Sequence, residues 1–155
     1  MSRRQMMIAA GASLALLLFS YSIAKACLPG ATQAQAMVEK TVAFFEAHGA
    51  EATIAAINNG GQFLDGELYV FMIRFDDGIN VANAGDHSRL GKDARLIEDP
   101  DGRFYGREIL QRATAEGDWV FYKRINPANG KVQPKISWVR KVEGYVIGTG
   151  MYVSQ

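Results

Sequence analysis

The pattern of apolar and polar positions divides the chain into an N-terminal leader with a long apolar stretch and a remainder in which apolar and polar residues alternate periodically. Residues 6–24 are apolar or small and carry no charge, and two arginines precede them. This order, followed by small residues at positions 24 and 26, predicts a secretory signal peptide over residues 1–26. A second pair of small residues, at 34 and 36, would place the cleavage as late as residue 36.

Two other interpretations of the leader stay open. One is a retained transmembrane anchor, because residues 6–24 are just long enough to cross a bilayer core of about 30 Å. The other is attachment of a lipid to Cys27, although Lys25 and the lack of a leucine three residues before the cysteine depart from the usual motif. No second apolar stretch of this length follows, so we expect a periplasmic or secreted domain, with a lipid anchor as the alternative.

Periodicity in the remainder predicts the order helix, helix, two strands, helix, three strands. Apolar residues recur at three- and four-residue spacing over 34–48, which predicts an amphipathic helix that Gly49 ends. Further helices are predicted over 50–57 and 104–116, and the polar residues 83–98 are predicted to be irregular. Runs rich in β-branched and aromatic residues predict strands over 68–75, 79–82, 118–125, 132–142 and 145–153.

The short turns between these strands indicate the fold class. Five consecutive strands joined by hairpins imply a mainly antiparallel five-stranded sheet with helices packed against it, which is an α+β fold. Residues 34–155 contain neither an internal repeat nor a linker, so we predict a single domain over this range. The contents of 48% hydrophobic and 21% charged residues are typical of globular proteins and argue against disorder.

Charge and ligand counts exclude several classes of function. The chain has 17 basic and 16 acidic residues, and three of the basic ones precede residue 27, so the predicted domain has a net charge of −2. A general binder of nucleic acid or of an anionic membrane would need a basic face instead. Cys27 is the only cysteine, and His48 and His87 are the only histidines, so we expect no disulfide, no metal site and no cofactor.

Three short motifs have simple structural explanations. The sequence Asp-Pro-Asp-Gly at 99–102 lacks the spacing of a calcium-binding loop and predicts a turn. Asp86 and His87 lie in a polar loop, where we expect a solvated histidine rather than an acid–base pair. The glycines at 148 and 150 are not followed by the helix of a phosphate-binding loop, so close packing of strands explains them better.

A series of short segments lies in a definite order along residues 37–153. They are GQF at 61–63, YVF at 69–71, DDG at 76–78, LGKD at 90–93, DPDG at 99–102, DWVFY at 118–122, NP at 126–127, PK at 134–135 and IGTGMY at 147–152. Their order and spacing resemble the single Cache domain, an extracellular sensor module with a PAS-like sheet and a long N-terminal helix. The chain is similar to stand-alone exported forms of that family.

The resemblance carries expectations about function. Members of the family are usually the ligand-sensing parts of chemoreceptors, sensor kinases and cyclases. They bind small molecules, often short carboxylates, in a pocket between the sheet and its loops. Many relatives have Ala-His-Pro after the first hairpin turn, whereas residues 82–84 are Ala-Asn-Ala here. If that histidine contacts the ligand in relatives, the specificity of this chain differs.

Three candidate pocket residues come from the first two predicted strands and this motif. Tyr69 and Phe71 alternate on one face of the strand 68–75, where they would form an apolar wall. Asn83 replaces the histidine of relatives and would orient a ligand. The simpler interpretation of the two aromatic residues is ordinary core packing.

Three further candidates come from the predicted hairpin of strands 118–125 and 132–142. Tyr122 and Arg124 share one strand face, and arginine can give a carboxylate two parallel hydrogen bonds. Lys135 is part of the family motif, and hairpin pairing brings it near Tyr122 or Arg124. Two such cations without an anion repel each other, and a bound carboxylate would relieve that repulsion. The simpler interpretation is a solvated arginine beside a packed tyrosine.

These observations together predict an exported domain that binds a small organic acid and is linked to signal transduction. A membrane receptor or a kinase is the expected protein partner. One alternative is a protein-interaction module that docks on a membrane receptor. Another is a small hydrolase, but the sequence shows neither a nucleophile–base pair nor a metal cluster, so we expect no enzymatic activity.

Overall fold

The computed structural model describes residues 30–153, which form an antiparallel sheet covered by helices. The helices are α1 (Ala31–Asn58) and α2 (Tyr105–Arg112), and single 3₁₀ turns lie at Gly61–Phe63, His87–Arg89 and Ala94–Leu96. The strands are β1 (Leu64–Asp65), β2 (Leu68–Arg74), β3 (Asn80–Asn83), β4 (Asp118–Ile125), β5 (Val132–Val142) and β6 (Tyr145–Tyr152).

The predicted signal peptide and Cys27 lie outside the described residues. The second candidate cleavage position lies inside α1, where Ala34 is fully buried. Between residues 30 and 153, no helix combines the length and the apolar character that crossing a membrane requires.

Helix α1 joins the two helices that the sequence predicted. Its buried residues recur at helical spacing, as they do at Val38, Val42 and Phe45. Gly49 has φ 79° and ψ 176° in the middle of the helix, so the expected helix end is a kink instead. Glycine adopts positive φ without a steric penalty, which allows the chain to resume the helix beyond it. The predicted helix over 104–116 is also shorter, because the chain turns to extended backbone at Ala113.

The sheet has the strand order β1-β2-β6-β5-β4, and β3 pairs with β2 as well. It contains six strands instead of the five expected, because Leu64 and Asp65 pair with Tyr69 and Leu68. A strand of two residues is too short to show alternation in the sequence. In the hairpin of β4 and β5, Tyr122 lies directly opposite Lys135, as the predicted pairing required.

The two faces of the sheet bury different layers. Helix α1 packs against the face that carries Val70, Met72 and Ile147. Helix α2 and the loop before it cover the opposite face, where Tyr105 and Ile109 join the apolar cluster of that side. Because successive strand residues point to opposite faces, one set of side chains meets α1 and the alternate set meets α2. The candidate site lies in the second interface.

Candidate ligand-binding cavity

A cavity lies between the sheet and the layer that contains α2. All six residues predicted from the sequence line it, namely Tyr69, Phe71, Asn83, Tyr122, Arg124 and Lys135. The other lining residues are Ile73, Asn80, Arg89, Ala94, Ile97, Tyr105, Gly106 and Ile109. The centres of water-sized spheres can occupy ≈ 20 Å³ of it, which is room for about one or two water-sized groups.

Glycines of β6 make room for the side chains beside the cavity. A Cβ atom on Gly148 would lie under 3.0 Å from the ring of Phe71, closer than real Cβ atoms approach other atoms. A Cβ atom on Gly150 would be equally close to Cε of Lys135 and Oγ of Ser137. Phe71 and Lys135 can therefore lie across the backbone of β6, and close strand packing accounts for both glycines.

Lys135 is a buried cation without an acidic partner. The residue is 1% exposed, and none of the ion pairs within residues 30–153 includes it. Its Nζ lies 3.9 Å from the ring centroid of Tyr69 and 4.7 Å from that of Tyr152, and aromatic faces attract cations. Burial, and then the charge of Arg124, hold the pKa of the Lys135 ammonium well below its usual value of 10.5.

Arg124 is only partly satisfied by its neighbours. Its side chain is 10% exposed, and its Nη2 forms an ion pair with Oδ2 of Asp86. Its Nη1 donates to Oη of Tyr105 over 3.4 Å, whereas its Nε is buried and has no partner among the described residues. One donor of the guanidinium is therefore still free beside the cavity.

Asp86 provides the anion for Arg124, a contact that the sequence did not indicate. It also accepts hydrogen bonds from Ser88 and from Arg89. Burial alone would raise the pKa of Asp86, but the hydrogen bonds of Ser88 and the charges of Arg124 and Arg89 lower it below 3.8. The repulsion expected if Arg124 and Lys135 lay together without an anion is therefore reduced, because the loop that carries Asp86 reaches Arg124 on β4. His87 next to it is exposed, as expected.

Tyrosines supply the remaining polar groups of the cavity. Oη of Tyr69 is buried and makes no hydrogen bond of ordinary geometry within residues 30–153, although the hydroxyl of Tyr152 is close enough to affect its pKa. Oη of Tyr122 lies 2.9 Å from Oγ of Ser137, and its ring stacks on that of Tyr105 at 4.2 Å. Burial raises the pKa of both Tyr69 and Tyr122, so their hydroxyls stay protonated and can donate.

Asn83 has a structural task in addition to lining the cavity. Its side-chain oxygen accepts hydrogen bonds from the backbone N–H groups of Gly85 and Asp86 at 3.1 and 2.7 Å. The backbone N–H of Asn83 donates a hydrogen bond to Oδ1 of Asn58 over 3.0 Å. The amide therefore shapes the turn that presents Asp86 to Arg124.

Sequence reasoning missed several residues at the site. Asp86 and Arg89 come from an irregular loop, and Tyr105 begins α2, so strand alternation did not point to them. Tyr152 covers Lys135 from β6, and its place in the segment IGTGMY was the only signal that could have indicated it. Within the described range, no group of three or more His, Cys, Asp and Glu side chains is arranged to hold a metal ion.

The family model described as Cache domain matches residues 23–155. The chain belongs to the Cache domain family. The sensor histidine kinase MctS of Rhizobium johnstonii is 31% identical over 91 residues, which are 57% of this chain. The match spans 19% of the kinase, so this chain corresponds to about a fifth of that protein.

Three solved structures share the Cache fold with this chain. A methyl-accepting chemotaxis protein from Vibrio parahaemolyticus has a TM-score of 0.70 at 17% identity, covering 90% of this chain and 97% of its own. A periplasmic sensor domain of a chemotaxis protein has a TM-score of 0.60 at 22% identity, with coverages of 93% and 100%. A Cache chemosensory domain that recognises carboxylic acids has a TM-score of 0.62 at 18% identity, with coverages of 90% and 98%.

The structural similarity and the family match establish a common PAS-like fold with a long N-terminal helix and an antiparallel sheet. The Cache homologues are sensor domains of chemotaxis proteins and of a histidine kinase. Ligand sensing in signal transduction is therefore the function that the family shares.

Proposed function

We propose that this Cache domain senses a short carboxylic acid, which binds as the carboxylate in the cavity beneath α2. The observation that carries the proposal is a set of donors without partners around that cavity. Nε of Arg124 and Oη of Tyr69 are buried and unpaired within residues 30–153, and Nζ of Lys135 forms none of the ion pairs there. A buried donor left unpaired costs about 1–3 kcal/mol, and a carboxylate has enough acceptor positions for these two donors and for the ammonium of Lys135.

The charges around the cavity favour an anion over a neutral ligand. Arg124 is neutralised by Asp86, whereas Lys135 has no acidic partner. An anion beside Lys135 would favour the charged ammonium and raise its pKa from the lowered value. Burial also weakens the screening between the ammonium and a bound carboxylate, so their attraction is strong, and the cost of keeping Lys135 charged is subtracted from it.

The shape of the cavity favours a short acid. Phe71, Ile73 and Ile109 give it an apolar side next to the polar groups. With only ≈ 20 Å³ open to the centres of water-sized spheres, the cavity accepts at most a very short acid with small shifts of its walls, and no extended chain. The likeness in fold to a chemosensory domain that recognises carboxylic acids is consistent with this ligand class.

We also propose that the domain works outside the cytoplasm, in the periplasm or secreted, together with a membrane receptor or kinase. The apolar leader after two arginines supports export, by cleavage near residue 26 or with an anchor that is retained. The sensor histidine kinase among the relatives supports the kind of partner. Binding and not turnover is the proposed activity.

Matched acids and amides test this function. The full chain is titrated calorimetrically with acetate, propionate and butyrate, and in parallel with acetamide, propionamide and butyramide, which have the same shape without the charge. We expect at least one acid to bind. The matching amide should bind at least about tenfold more weakly, because it gives Lys135 no counter-charge. Equal affinity for acid and amide, or no heat from any acid, would contradict the proposal.

A further inference from the structure

Tyr105 forms part of the wall of two neighbouring spaces. One is the buried cavity of ≈ 20 Å³. The other is an open cleft of ≈ 270 Å³ by the same measure, whose wall includes Glu98, Asp99 and Lys123. Tyr105 lines both spaces, together with Arg124 and Arg89. Its ring therefore belongs to the partition between them.

Several contacts hold the ring in this partition. Tyr105 is 5% exposed, and its ring lies parallel to that of Tyr122, with 4.2 Å between centroids and 1° between planes. Its hydroxyl accepts a hydrogen bond from Nη1 of Arg124. The next residue, Gly106, packs so closely against the carbonyl oxygen of Ala94 that a Cβ atom would collide with it. Because Tyr105 is the first residue of α2, the close packing of Gly106 against Ala94 also fixes where the ring of Tyr105 lies.

The apolar walls of the cavity leave little room for a longer ligand. Phe71, Ile73 and Ile109 belong to the packed cluster between the sheet and α2. Protein cores at normal density have no room for an additional alkyl chain. The ring of Tyr105 lies between the cavity and the cleft, together with Arg89 and Arg124, and Tyr69 lies between the cavity and a second open space of ≈ 250 Å³.

We infer that Tyr105 is a specificity-determining residue that limits the length of the acid. This inference rests on the proposed function and goes beyond it by assigning the length limit to one side chain. The ring occupies the volume that the far end of a longer alkyl chain would need. Removing the ring joins the cavity to the cleft and opens the site to longer acids.

Titrations with straight-chain acids from acetate to hexanoate test the inference in the full chain. The variants are Tyr105→Ala, which removes the ring, and Tyr105→Phe, which keeps it. Phe104→Ala is the matched control, because Phe104 precedes Tyr105 and lines neither space, while Arg107 lies over its ring at 4.2 Å. We expect Tyr105→Ala to raise the affinity for hexanoate relative to acetate on the order of tenfold, the gain of burying about two more methylene groups. Tyr105→Phe and Phe104→Ala keep the wild-type preference.

The outcomes separate this inference from the proposed function. If the wild-type chain binds no acid, the proposed function fails. If it binds short acids and Tyr105→Ala keeps the same preference for length, only the role of Tyr105 is contradicted. A changed preference in Phe104→Ala would also contradict it, because a general loosening of the helix start would then explain the effect. Circular dichroism checks folding, and if Tyr105→Ala fails to fold, Tyr105→Leu takes its place with the same direction of change expected.

Discussion

Lys135 combines burial, a basic side chain and the lack of an acidic partner. Moving an ammonium out of water costs several kcal/mol, and the rings of Tyr69 and Tyr152 offset a part of this. The remaining cost lowers the pKa of the Lys135 ammonium in the empty domain. A methionine at this position would fill the same space without the cost, so the lysine destabilises the empty domain and stabilises the one that holds an anion.

The pH dependence of stability tests this view of Lys135. Its folded-state pKa lies below 10.5, so between these two values the unfolded chain binds a proton that the folded domain does not. The free energy of unfolding therefore rises with pH in that window. We expect Lys135→Met to be at least as stable as the wild type near neutral pH, and its advantage to shrink as the pH rises towards 10.5.

Urea denaturation of both proteins at several pH values measures this difference. Lys131→Met serves as the control, because Lys131 is exposed and lies only four residues away. A stability difference between Lys135→Met and the wild type that stays constant across the window would show that Lys135 titrates normally.

Two glycines of strand β6 make room for side chains beside the cavity. Gly148 and Gly150 alternate on the face towards the cavity, where Phe71 and Lys135 cross the strand. Larger residues at these positions would push the two side chains away from β6. The two glycines thus give the basic group of the site the space that it occupies.

The substitution Gly150→Ala tests this element. Its new Cβ would collide with Lys135 and Ser137, so we expect the free energy of unfolding to fall by about 1–3 kcal/mol. Carboxylate affinity should fall as well, because Lys135 is displaced. Gly144→Ala is the matched control: nothing lies near its Cβ position, and we expect a change within about 0.5 kcal/mol. Denaturation and calorimetry measure the two effects, and equal stability of the two variants would contradict the packing account.

The parts of the site that regular elements carry could be predicted from the sequence. Alternation along β2 places Tyr69 and Phe71 on one face, and the short hairpin places Tyr122 opposite Lys135. Asp86 could not be predicted, because its contact with Arg124 joins an irregular loop to a strand 38 residues away. Neither helical nor strand periodicity in the sequence indicates such a contact. The kink at Gly49 was missed for a related reason, since glycine is compatible with both a helix end and a bend.

At the scale of the whole molecule, one sheet connects the cavity to the long helix. Strands β2, β5 and β6 contribute Tyr69, Lys135 and Tyr152 to the surroundings of the cavity. The alternate residues of the same strands, such as Val70 and Ile147, pack against α1. A ligand that binds Lys135 therefore contacts strands whose opposite face supports the N-terminal helix. The cavity and α1 therefore pack against opposite faces of one sheet.

The central claim is that a carboxylate binds in this cavity beside Lys135. Calorimetric titration of the wild type, Lys135→Met and Lys131→Met with the tightest-binding short acid tests it most directly. We expect Lys135→Met to weaken binding by about tenfold or more, since a charged buried contact is lost. Lys131→Met should leave the affinity unchanged. Equal affinity of Lys135→Met and the wild type, with both proteins folded, would contradict it.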